Sequence, residues 1–221
     1  MAYYKISKVH RAELEGFKGE FSEERGWNPD RRQKFLQRVH SIIKSCTYIG
    51  VGFAVTKADF EQIIPPDVVK EIGGVYGWCA HNCLIQIEKW SDAHNQQDPI
   101  QYIFEAGTHG AGQVGKMLGK LYADPAYRQM LRIKGWSFQG KDLLPLQAAD
   151  VVAYECYKHC ENQILDKGKR PIRKSAEDLF RLHDTDYFWF SGKEHLQLWL
   201  DERNRGLEAS QPFKGLGRKT E

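Results

Sequence analysis

Pro99-Ile100-Gln101-Tyr102-Ile103-Phe104-Glu105-Ala106-Gly107-Thr108-His109-Gly110-Ala111-Gly112 carries two signals in one stretch. Its first seven residues are rich in β-branched and aromatic types, which predicts a strand. The glycine-rich remainder predicts a turn into a helix from about Gln113 to Tyr122. The strand delivers Glu105 to its carboxyl end, where open α/β sheets form ligand crevices. The same alternation continues on either side. Asn28-Pro29-Asp30 opens a helix to about Lys44, and Thr47 to Val55 reads as a strand whose Gly50 and Gly52 predict close packing by a neighbour. Short helices are expected at about Ala58 to Ile64 and Ser175 to Leu182. A longer one from Val75 to Trp90 sets Cys79, Cys83, Ile87 and Trp90 on one stripe. Leu131 to Phe138 is a third strand, a helix runs from Pro145 to about Leu165, and a last helix covers Glu194 to Arg205. Strand, helix, strand, helix predicts an α/β layered fold.

The length of 221 residues suits one domain, expected over residues 1–205, with a disordered tail at 206–221. Apolar residues make up 41% and charged ones 28%, the balance of a folded globular chain. The longest run of apolar residues and glycine is Ile49 to Val55, too short to span a bilayer, and Met1 to Val9 lack a signal peptide's hydrophobic centre. A cytoplasmic location is therefore expected. Five cysteines leave one unpaired under any disulfide scheme, so reduced thiols are the expectation. A net charge of +3 does not by itself demand a polyanionic partner.

Chemistry concentrates in Leu143-Leu144-Pro145-Leu146-Gln147-Ala148-Ala149-Asp150-Val151-Val152-Ala153-Tyr154-Glu155-Cys156-Tyr157. At roughly 100° per residue, Leu146, Ala149, Ala153, Cys156, Tyr157, Cys160 and Ile164 form one stripe that should be buried. Asp150 then lies on the edge of the stripe and Glu155 opposite it. Asp150 sits too deep in the helix to serve as its N-cap, and a half-buried carboxylate requires donors, a cation or a metal to offset desolvation. Either it bonds a neighbouring Arg, Ser or backbone group, or it joins Glu105 in holding Mg²⁺ or Mn²⁺, an oxygen-rich site suited to in-line hydrolysis of phosphodiesters. Asp142, Glu88, Asp124 and His109 are available to complete such a site. The turn from Gly107 to Gly112 is either a phosphate cradle or an ordinary tight connection, and it matches no Walker or dinucleotide fingerprint. Cys79 and Cys83, with Cys156 and Cys160, are either zinc ligands or small apolar core residues. The aromatic set Tyr187, Phe188, Trp189 and Phe190 either stacks bases or packs a terminal helix. Lys167, Lys169, Arg170, Arg173 and Lys174 form a basic turn that, with Arg31, Arg32, Lys34 and Arg38, either tracks a phosphate backbone or is simply solvated.

Several of these segments together resemble a known family. Phe17-Lys18-Gly19-Glu20-Phe21 before Trp27, the Gly50-Val51-Gly52 strand, Tyr102-Ile103-Phe104-Glu105-Ala106-Gly107, Pro145-Leu146-Gln147-Ala148-Ala149-Asp150 and Arg170-Pro171-Ile172-Arg173-Lys174-Ser175 occur in the order of the bacterial family called domain of unknown function 3800. The resemblance spans roughly residues 10 to 182 and implies a ribonuclease-H-like mixed sheet flanked by helices. It implies that Asp150 is the helix-borne acid and Glu105 the strand-end acid of a metal-dependent nuclease-like site. Lys141, after the third strand, then joins Lys169, Arg170, Arg173 and Lys174 as nucleic-acid contacts. Members begin with a strand ending in Asp-Glu-Ser-Gly or Asp-Asp-Ser-Gly, and no such segment precedes Tyr3. The acid expected before Lys141 is replaced by Gly140, with Asp142 displaced. The expectation is a domain truncated at its start, with sheet edges that another copy or a partner covers. Two functions follow: a nuclease-like phosphodiesterase, or a non-catalytic α/β module that binds nucleic acid or a partner protein.

Overall fold

Helices begin where the sequence supplies a proline or a capping side chain, in a computed structural model that describes residues 4–165, 168–183 and 187–205. A short α1 (Arg11–Glu15) precedes α2 (Pro29–Cys46), which carries proline in its first turn and the Asn28 side chain accepting the Arg31 N–H. β1 (Val51–Val55) leads to α3 (Lys57–Ile63), capped by Thr56, and then to α4 (Pro66–Ile72). The double proline thus both ends one helix and starts another. α5 (Gly74–Ala93) is followed by β2 (Ile100–Glu105) and α6 (Ala111–Ala123). Next come α7 (Pro125–Met130), capped by Asp124, β3 (Ile133–Gln139) and the long α8 (Leu144–Leu165). The chain closes with α9 (Lys174–Leu179), β4 (Tyr187–Ser191) and α10 (Lys193–Asn204). The α/β class expected from the alternation is present. Helices α1, α4 and α7 were not foreseen, and the aromatic stretch from Tyr187 proves to be a strand. Lys167 and the tail at 206–221 lie outside the described residues, as does the side chain of Ile164.

Among the described residues all strand pairing is parallel, but it does not form one sheet. β1 pairs with β4, Val51 opposite Tyr187 through Val55 opposite Ser191, and β2 pairs with β3, with an irregularity between Ile100 and Gln101. Among the described residues each strand has a single strand neighbour, so the layer is divided into two pairs. Helices α5 and α8 join the halves. Ala80 and Leu84 of α5 pack into the core of the β2–β3 half with Tyr102, Val114, Leu118 and Ile133. Trp78, on another face of α5, is 1% exposed in a core with Phe60, Ile64, Val68 and Leu196. Helix α8 packs against β1, β2, α1 and α9. A third core, of Phe21, Trp27, Phe35 and Leu14, fastens the first thirty-odd residues to α2, α8 and α9.

The glycine prediction for β1 holds at Gly52. A Cβ there would lie 2.6 Å from Cys156 Sγ of α8 and 2.9 Å from Phe188 of β4, distances no side chain tolerates. On the other side the Cys83 thiol of α5 bonds the Phe53 backbone, so β1 runs between the two long helices. Among the described residues no helix is long and apolar enough to cross a membrane.

Candidate functional site

Helix α8 places the acids, and its rotation differs from the predicted one. Gln147, Val151, Glu155 and Asn162 are its buried residues, with Val151 and Glu155 both 0% exposed. Ala149 and Ala153 are exposed, and Tyr157 is 57% exposed. The stripe of Leu146, Ala149, Ala153, Cys156, Tyr157 and Cys160 is therefore not the buried one, and Glu155 is not on the wet side. The physical reason is that the inner face of α8 is built from polar groups that meet partners far away in sequence, which an apolar periodicity cannot register.

Those partners are residues 9–15. Gln147 Oε1 accepts the Val9 N–H at 2.8 Å, while its Nε2 donates to the Lys141 carbonyl at 3.1 Å. Asp150 Oδ2 accepts the Arg11 N–H at 2.8 Å. Arg11 is the first residue of α1, and its N-cap, His10, makes no side-chain capping bond. Asp150 therefore caps a helix after all, one contributed by a distant part of the chain. The Arg11 guanidinium, 0% exposed, reaches past it to donate to Glu155 Oε1 from Nε at 3.0 Å and from Nη2 at 2.6 Å.

The Arg11–Glu155 pair is the centre of a buried ionic network. Ser175 Oγ donates to Glu155 Oε1 at 3.0 Å, and Arg173 Nε stands 3.4 Å from Oε2, off the line of a hydrogen bond. Glu15 Oε2 accepts from Arg11 Nη1 at 2.8 Å and from Arg173 Nη2 at 2.9 Å. Burial pushes the Glu15 carboxyl up, but the two guanidiniums outweigh it and hold it below the usual carboxylate range. Both guanidiniums also lie over the Tyr154 ring, at 4.8 and 5.7 Å from its centroid. Buried His40 is kept neutral mainly by desolvation, against the pull of the Glu155 and Asp178 charges. Arg11, Glu15, Glu155 and Ser175 are the site residues that sequence reasoning missed. The available signal was a lone glutamate inside Tyr154-Glu155-Cys156-Tyr157, flanked by residues of core character.

Glu105 stands at the end of β2 as expected, and Lys141 Nζ lies 3.0 Å from its Oε1. Glu105 and Asp150 are thus each provided with a partner from elsewhere in the chain: a lysine for the first, a backbone N–H for the second. Among the described residues no group of three or more His, Cys, Asp or Glu side chains could hold a metal ion. The proposed nucleic-acid contacts divide. Lys141 and Arg173 are engaged internally, the Arg170 main chain is held at both its N–H and its carbonyl by the Asn162 amide, and Lys169 and Lys174 are exposed.

Four of the five cysteines, two from each long helix, lie beside β1 and one another, whereas Cys46 at the end of α2 is exposed. Burial pushes the thiols of Cys79 and Cys83 up to about 12 and that of Cys160 to about 11, and raises Cys156 further. They are protonated at neutral pH and pack as small apolar groups. In the glycine-rich turn, Gly107 and Gly110 have φ of 78° and 95°, a left-handed backbone that explains glycine at both positions without a bound phosphate.

The sheet-facing side of α8 supplies the remaining feature. Its Cys156 abuts Gly52 of β1, yet Ala149 and Ala153, on the same stripe one and two turns earlier, are exposed. Ile103, on the face of β2 opposite the buried Tyr102, is 39% exposed. Exposed small or apolar residues thus stand on α8 and on β2, the two elements that pack together beside the divided sheet. Comparison of the chain with family models, with curated proteins and with solved structures gives no match in any of the three.

Proposed function

We propose that this chain is a non-catalytic α/β binding module with a ribonuclease-H-like core, which seats an extended segment of a partner protein between β1 and β2. The observations that carry this reading are the exposed Ala149 and Ala153 of α8, the exposed Ile103 of β2, and two parallel pairs whose strands each have one strand neighbour among the described residues. Parallel strands are ordinarily covered on both faces and flanked on both edges, and a two-stranded unit is marginal by itself. A strand laid over Ala149 and Ala153 would bond to both free edges and complete a five-stranded layer, the β-augmentation mode of peptide recognition. Because such a strand is covered by helices on both faces, its sequence is a near-continuous run of valine, isoleucine and aromatic residues.

The acids support the same reading. Asp150 anchors α1 and Glu105 holds Lys141, and a phosphodiesterase would require both carboxylates to take a divalent cation in addition to these partners. Arg173 is committed to Glu15 and Glu155, which favours a structural role over contact with a phosphate backbone.

The test is hydrogen exchange on residues 51–55 and 100–105 with and without a capped peptide whose Val-Tyr-Val-Ile-Val centre is flanked by lysines. Protection of both strands is expected, with none from a peptide carrying proline at the middle position. Ala153→Glu should abolish the protection while changing stability by less than about 0.5 kcal/mol, as for surface substitutions. Exchange unaltered in both strands would refute the module.

A further inference from the structure

A cavity of about 370 Å³ lies among α4, α5, α6, α10 and the β1–β4 pair, and neither the acids nor the exposed alanines of α8 line it. Its volume falls within the range of small-molecule sites, roughly 300–1,000 Å³. One face of α5 contributes Trp78, His81, Asn82, Ile85 and Gln86, at the i, i+3, i+4, i+7, i+8 spacing of a single helical stripe. Trp189 of β4, Trp199 of α10 and Phe53 of β1 add flat aromatic walls, with the Trp78 and Trp199 rings edge to face at 4.5 Å. Three of the chain's six tryptophans therefore line one cavity.

The polar groups among these rings are neutral and two-sided. Asn82 Nδ2 donates to the Trp78 carbonyl at 2.8 Å, which fixes the amide and leaves Oδ1 as an acceptor. Gln86, one turn on, presents a second amide with a donor and an acceptor. Burial holds His81 below the ordinary histidine range, so its ring offers one donor and one acceptor. Charge is confined to other elements: Arg203 is tied to Glu71 at 2.7 Å, Asp124 caps α7, Glu202 of α10 adds a further carboxylate, and Lys120 of α6 makes no ion pair among the described residues.

We propose that this cavity binds a purine or pyrimidine base carried on a nucleoside or nucleotide. A planar heterocycle gains stacking energy on the partly exposed Trp189 and Trp199 indoles, and its edge carries the alternating donors and acceptors that paired amides and a neutral imidazole can read. A pure hydrocarbon would leave those amides unsatisfied. Lys120 is placed to meet a phosphate attached to the base's sugar.

The experiment uses the full chain and follows tryptophan fluorescence and calorimetry with adenosine, guanosine, cytidine, uridine and their 5′-monophosphates, with indole and glucose as controls. At least one nucleoside should bind saturably and more tightly than either control. Gln86→Leu should weaken it about tenfold or more, the effect of removing a hydrogen bond to a buried polar edge. Lys120→Met should remove the advantage of the monophosphate and leave the nucleoside affinity unchanged. No saturable binding of any nucleoside at millimolar concentration overturns the proposal. So does indole or glucose binding as tightly as the best nucleoside, or Gln86→Leu leaving affinity intact.

Discussion

Replacing Glu155 by glutamine keeps the shape of the α8 inner face and removes one charge. Both Arg11 and Glu155 are 0% exposed, so Glu155→Gln leaves a guanidinium buried with two neutral acceptor contacts where it had a carboxylate. Breaking a buried pair in this way costs about 3–5 kcal/mol, because the remaining charge is desolvated without compensation. Glu15 still accepts from Arg11 Nη1, and Arg173 loses only its longer contact, which places the loss at the lower end of that range. For a domain of this size about 1 kcal/mol moves the melting temperature by roughly 2–4 °C, so a fall of about 6–12 °C is expected. Urea unfolding followed by circular dichroism measures the free energy independently. The double variant Arg11→Met, Glu155→Leu should recover most of the loss, since two apolar groups of similar size need no pairing. Loss of less than about 1 kcal/mol in Glu155→Gln, or a double variant weaker than the single one, would refute the view that desolvated charge governs this region.

Asp150→Ala should cost about 1–3 kcal/mol by orphaning the Arg11 N–H, while millimolar Mg²⁺ or Mn²⁺ shifts the melting temperature of neither protein; a cation-induced rise in the wild type alone would restore the metal reading. Gly52→Ala should destabilise by about 1–3 kcal/mol, since its new methyl meets Cys156 Sγ at 2.6 Å, and Cys156→Ala in the same chain should relieve part of the loss in thermal melts. Acidification acts in two windows. His40, His81 and His159 have folded pKa values lowered by burial, so the unfolded chain binds more protons around and below the ordinary histidine value of 6.5 and stability falls as pH drops through it. Glu15, lowered by Arg11 and Arg173 despite burial, adds a second loss below its unfolded value of 4.5 as pH falls toward the folded one. Calorimetric melts between pH 8 and 3 should show both declines, and a melting temperature that is flat from pH 7 to 5 would contradict the first.

How much of this was legible depended on whether partners were local. β2 and α6 were read nearly to their ends, because a β-branched run followed by glycines and an amphipathic repeat is a local signal. The double proline concealed α4, because a breaker at one helix end also serves as a starter at the next. β4 was seen only as an aromatic stretch, since its partner β1 lies about 135 residues earlier and nothing within Tyr187–Ser191 names that neighbour. The largest error, the rotation of α8, has the same cause. Gln147 and Glu155 count as surface residues in any apolar pattern, and what buries them is Val9 and Arg11, 138 and 144 residues away. For Asp150 the reading was closer. Partial burial and the need for a donor were both inferred, and a backbone N–H was one of the alternatives held open.

The misread rotation also separates two tasks along one helix. Residues that fasten the amino-terminal segment, Gln147, Asp150 and Glu155, project from one side of α8, and Ala149, Ala153 and Cys156 project from the side that faces the divided sheet. Stability and the proposed recognition therefore rest on different side chains of the same 22-residue element. Substitutions on the first side act on unfolding, because they strand buried polar groups. Substitutions at Ala149 or Ala153 touch exposed positions and should act on the proposed strand rather than on unfolding. The proposed groove sets Ile103 beside those two positions, so a larger side chain there should cover it, whereas alanine leaves depth for an incoming backbone. Ala153→Leu should accordingly mimic the bound state in part, slowing exchange at Ile103 by burying it and weakening capture of the peptide. If exchange at Ile103 were unaffected by the leucine, these residues would not form one continuous groove.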